Sequence, residues 1–108
     1  MREEAFFITL SIEDQIRVRL ELQHGEPIEM TIQLETLIGE RWIPVRRYDT
    51  AHGYVHVHSA PWDDSRDRRS AVEHGGLKSA VTLAIQEIKE NWPRYREACV
   101  AAFRGEAT

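Results

Sequence analysis

A two-layer α+β domain, an antiparallel meander with one face covered by C-terminal helices, is predicted by three observations. Apolar residues alternate with polar ones through most of the first half, which is the period of half-buried strands. Short turn-forming clusters punctuate that alternation, so the strands are close enough in sequence to pair with their neighbours. The last third changes to helical spacing, and strands followed by helices build a sheet with helices on one side.

The first strand is read from Phe6, Ile8, Leu10 and Ile12, which alternate with Phe7, Thr9 and Ser11. The second carries Ile16, Val18, Leu20 and Leu22 between Arg17, Arg19, Glu21 and Gln23, and stops at the turn cluster His24-Gly25-Glu26-Pro27. A third runs from Ile28 through Met30, Ile32, Leu34 and Thr36 to about Ile38, where Gly39-Glu40 is short enough to turn a hairpin into residues 41–48. The cluster Asp49-Thr50-Ala51-His52-Gly53 then leads to a strand over residues 54–59. Four to five strands are expected.

Residues 60–76 are polar, contain a Gly75-Gly76 pair and read as a long loop. Beyond it Leu77, Ala80, Val81, Ala84, Ile85 and Ile88 form an apolar stripe, with Lys78, Gln86, Glu87, Lys89 and Glu90 on the opposite side. Asn91-Trp92-Pro93 is expected to break this helix, because proline disfavours helical backbone in the residue before it and suits the first turn of a new helix. Tyr95, Cys99, Ala102 and Phe103 give the second helix its inner stripe.

The chain of 108 residues is sized for a single domain, 1–108, with its own core. No apolar run is long enough to span a membrane, and no basic leader opens the sequence, so a cytoplasmic setting without membrane contact is expected. The lone Cys99 excludes an intrachain disulfide and a multi-cysteine zinc site. A net charge of −4 argues against coating nucleic acid by bulk electrostatics. The charge is unevenly spread: residues 1–40 hold three Arg or Lys against nine Asp or Glu, whereas residues 41–78 hold seven against five.

Chemistry is concentrated in that locally basic stretch. On a strand, Tyr54, His56 and His58 share one face while Val55 and Val57 face the core. Ile43 and Val45 are expected to join the valines, which leaves Trp42, Pro44, Arg46 and Tyr48 beside the histidines on the open face. Two histidines about 7 Å apart along a strand suit general acid and base work on a phosphodiester. Arg46 would then stabilise the developing charge and Tyr48 or Tyr54 would position or stack on a base, and His56, His58, Arg46 and Tyr48 are the candidate catalytic group. Trp42, Arg47, His52, Tyr54, Arg66, Arg68 and Arg69 are the candidate substrate-binding residues. The same face also suits a protein interface, because Trp, Tyr and Arg dominate binding hot spots. A third use is a metal held by His56 and His58 with His52, Asp49 or Asp63-Asp64, although no metal ligand or cofactor is assigned.

The step Arg47-Tyr48-Asp49, followed by His56-Val57-His58 and a C-terminal helix, resembles the TumE-type small proteins of bacterial toxin-antitoxin modules. The resemblance covers about residues 41–60 and the helix after them. It implies a compact member of a two-protein module with a cognate antitoxin as partner and RNA as a target; taken with the histidine pair, the expected activity is that of a metal-independent endoribonuclease. The competing expectation from the residues themselves is a non-catalytic module that dimerises or binds a partner through the open face.

Overall fold

The computed structural model describes residues 1–50, 55–59 and 76–105, and the backbone of residues 68–69. Five antiparallel strands follow one another in space as they do in sequence: β1 (Arg2–Ser11), β2 (Asp14–Gln23), β3 (Glu26–Ile38), β4 (Arg41–Asp49) and β5 (His56–Ser59). A two-residue β6 (Arg68–Arg69) completes a six-stranded sheet. One helix, α1 (Leu77–Phe103), packs on one face, mainly over β3 and β4. The α+β meander is therefore as the alternation predicts.

The hairpin between β2 and β3 closes on a tight turn. Gln23 pairs with Glu26, leaving His24 and Gly25 as a two-residue loop with φ of 52° and 79°. Such a loop needs positive φ at both central positions to match the twist of its strands, a conformation that glycine adopts without steric cost. An irregularity between Glu21 and Leu22 shifts the pairing by one residue beyond the turn, and the register past it sets Leu20 against Met30, Val18 against Ile32 and Ile16 against Leu34. All six are buried, and Ala80, Ala84, Ile88 and Cys99 of α1 close over the same core. Burying each larger aliphatic contributes about 2 kcal/mol. The small alanines of α1 let the helix approach the sheet closely.

Two expectations are corrected. The helical region is one helix, not two, with Pro93 inside it. Proline removes one backbone hydrogen bond and crowds the preceding turn, at a cost of about 3 kcal/mol. Ala80, Ala84, Ile88, Trp92, Tyr95 and Cys99 nevertheless form one unbroken stripe toward the core, and breaking the helix at Pro93 would carry Tyr95 and Cys99 away from the sheet. Burial of that half-stripe outweighs the local penalty.

The second correction concerns faces. Leu34 pairs with Arg46 but Glu35 pairs with Pro44, so Val45 has no partner of its own and forms a β-bulge. Before the bulge, Trp42 and Pro44 lie on the open face, as expected. Val45 turns into the core and the alternation restarts one residue out of phase. Arg46 and Tyr48 consequently point under the helix, and Arg47 and Asp49 take the open face. No helix among the described residues is long and apolar enough to cross a membrane.

Candidate functional site

On the open face, β4 and β5 bring four functional side chains together. Their backbones pair Arg47 with His58 and Asp49 with His56, and directly opposite residues on antiparallel strands share a face. The Asp49 Oδ2 accepts a hydrogen bond from Arg47 Nε at 3.1 Å and lies 3.9 Å from His58 Nε2. The imidazoles of His56 and His58 stack with centroids 6.1 Å apart and planes 10° from parallel. His56 is fully buried, whereas the His58 side chain keeps 15% of its surface. His58 is thus the histidine that this face presents.

The polar ladder continues across β3 and β2. Glu35 is buried, yet its carboxylate accepts from Gln15 Nε2 at 2.9 Å, Arg17 Nε at 3.0 Å and Gln33 Nε2 at 2.6 Å. A buried carboxylate is tolerated when such donors satisfy it. A shallow depression beside this ladder is lined by Arg19, Glu21, Glu29, Thr31, Arg47 and Asp49. Opposite charges alternate along it, and this part of the face is polar and hydrogen-bonded.

The other two members of the candidate catalytic group are on the opposite face, in a different assembly. Arg46 Nε donates to the Tyr48 hydroxyl at 2.7 Å, and its terminal nitrogen donates to Glu87 Oε1 at 2.7 Å. The Tyr48 hydroxyl also donates to Glu87 Oε1, and Tyr95 OH reaches the same oxygen at 3.3 Å. The Arg46 guanidinium is stacked between aromatic rings, 4.4 Å from the Tyr95 centroid and 5.1 Å from that of Tyr48. Burial opposes the charge on Glu87, but the hydrogen bonds from Tyr48, Arg46 and Tyr95 prevail and hold its carboxyl below the usual value. Burial likewise opposes the Arg46 charge and is outweighed by Tyr48 and Glu87. For Tyr48, burial and the Glu87 bond push the phenol well above its ordinary value, so it stays neutral.

The structure therefore separates the expected quartet. Arg46 and Tyr48 join sheet to helix, while His56, His58, Arg47 and Trp42 belong to the open face. Arg68 and Arg69 contribute the β6 backbone, with Arg69 opposite His56. His52, Tyr54 and Arg66 lie outside the described residues, as do Asp63 and Asp64. Among the described residues, no three His, Cys, Asp or Glu side chains converge to hold a metal ion.

Sequence reasoning missed Glu87, which it placed on the solvent side of the helix, and Asp49 as the partner of Arg47. The signal for Glu87 is its position next to Ile88 and one turn after Ala84 and before Asn91, at the rim of the inner stripe. Only knowledge that an arginine faces that rim turns it into a contact. A family model described as a domain of unknown function (DUF7718) matches residues 1–101. No curated protein and no solved structure matches the chain.

Proposed function

The chain belongs to the DUF7718 family, a domain of unknown function, and we propose that it is a non-enzymatic module that binds a protein partner through the open sheet face. The bulge at Val45 carries this reading. It aligns Trp42, Pro44, Arg47, Asp49 and His58 on the face that α1 leaves uncovered, and commits Arg46 and Tyr48 to the opposite side. A phosphodiesterase built on the original quartet loses its charge-stabilising arginine and its tyrosine. A half-exposed Trp42 beside paired polar groups is instead what an interface anchor with a polar surround requires.

The test is capture by the tagged chain from an extract of its own source cells, compared with Trp42→Ala and Arg47→Ala variants shown to be folded by circular dichroism. One protein bound stoichiometrically by the wild type and at least tenfold less by both variants is the expected result. Capture indifferent to both substitutions would overturn the reading.

A second reading retains one observation in its favour. The Asp49 carboxylate next to His58, backed by the stacked His56, is an arrangement that can orient an imidazole for proton transfer. It supports an RNA-directed endoribonuclease of the toxin-antitoxin kind with His58, not the quartet, at its centre. Metal-free cleavage of RNA by the pure protein, abolished in His58→Ala, would establish it over the binding module. Intact RNA would dismiss it.

A further inference from the structure

Among the described residues the sheet ends at β1, a ten-residue strand hydrogen-bonded there on one side only. It pairs with β2 in unbroken register from Arg2 to Thr9, and an irregularity occurs only between Thr9 and Ser11. The means that usually blunt an exposed edge are missing from its centre: no proline, no lysine and no bulge lies between Ala5 and Thr9. Two phenylalanines stand there instead. Phe6 is 43% exposed on the core side and Phe7 is 55% exposed on the open side, where the Arg17 guanidinium lies 5.0 Å from its ring centroid.

Consecutive residues of a strand point to opposite faces. A partner laid on either face of the sheet would cover one of the two rings and leave the other in water. A strand added to the edge flanks both at once, and it also pairs the outward backbone groups.

We propose that this edge is occupied by β1 of a second copy, antiparallel, so that two sheets join into one continuous sheet across a two-fold axis near Phe7. The pattern of β1 is complementary to itself in that orientation. With the axis at Phe7, the two Phe7 rings face each other on the open side and Phe6 faces Ile8 of the other copy on the core side. The charges of β1 are confined to one end, Arg2, Glu3 and Glu4. Antiparallel pairing sets Glu3 against Ser11 and Glu4 against Leu10, whereas a parallel strand of the same sequence would stack carboxylate on carboxylate. The β1 edge is separated by β2 and β3 from the Trp42 and Arg47 patch on β4 proposed above for a protein partner, so one can fail without the other.

The experiment is the solution mass of the full chain by sedimentation over a range of concentration up to sub-millimolar. The expected result is a species of twice the 12.6 kDa chain mass. Phe7→Lys and Phe7→Glu each place like charges face to face at the axis and are expected to give monomers, at least tenfold weaker in association. Both change an exposed side chain, and an equimolar mixture of the two is expected to restore the dimer, which a merely misfolded variant would not do. Trp42→Ala should leave the dimer intact. A wild type that stays monomeric overturns the proposal and leaves the edge to a strand of another protein. A dimer that survives Phe7→Lys overturns it as well, by placing the contact elsewhere.

Discussion

Arg46 shows how far a residue's type is from its role. An arginine beside a tyrosine on a histidine-rich stretch suggests anion chemistry, yet here the guanidinium is sandwiched between Tyr48 and Tyr95 and hydrogen-bonded to Glu87. The cluster fastens helix to sheet with a charged pair at the margin of the core. Removing one partner of such a pair leaves the other charge poorly solvated. Glu87→Gln is therefore expected to cost about 2 kcal/mol, toward the lower end for charge-assisted hydrogen bonds because the pair is only partly buried. The same group gives a pH signature. Since folding holds Glu87 below its ordinary value near 4.5, its contribution is complete above that value and is lost as pH falls through the folded value. Urea midpoints measured from neutral pH down to acid should fall less steeply in Glu87→Gln than in the wild type.

At the scale of elements, what was legible depended on whether a local rule was decisive. The strands of the meander and the hairpin at His24-Gly25 were legible because period-two alternation and turn chemistry act over a few residues. The bulge at Val45 was not. Ile43 and Val45 alternate faultlessly with their neighbours in sequence, and only the demand that both β3 and β5 pair with β4 while the core accepts Val45, Tyr48 and Val57 makes the extra residue necessary. The break assumed at Pro93 failed for the complementary reason: a strong local signal was overruled by burial of Tyr95 and Cys99 along the same stripe. If Pro93 is tolerated and not required, Pro93→Ala restores a backbone hydrogen bond inside α1. It should raise stability by about 1–3 kcal/mol, read as a higher urea midpoint with an unchanged slope.

At the scale of the molecule, the described residues form one layer of helix on one sheet with a single core cluster between them, and Cys99 lies within it. Burial raises its thiol above the ordinary value and keeps reagents away. Labelling with a thiol-specific disulfide reagent should accordingly proceed at the rate at which α1 leaves the sheet. It should be slow in native buffer and accelerate in parallel with loss of the helical signal as urea is added. Labelling that runs at the rate of a free peptide thiol would mean that the helix detaches without global unfolding.

By itself the sequence determined the order of strands, most of their turns, the apolar residues of the core and the existence of a histidine-bearing strand whose valines face inward. These follow from periodicity and turn preference, which depend on residues a few positions apart. Tertiary structure alone decided which of Arg46, Arg47, Tyr48 and Asp49 share a face with those histidines, and whether one helix or two covers the core. Both depend on contacts between side chains separated by tens of residues, Glu87 with Arg46 and, beyond Pro93, Tyr95 and Cys99 with the core of the sheet. A one-residue bulge or a tolerated proline is small in local energy and large in which surface it exposes.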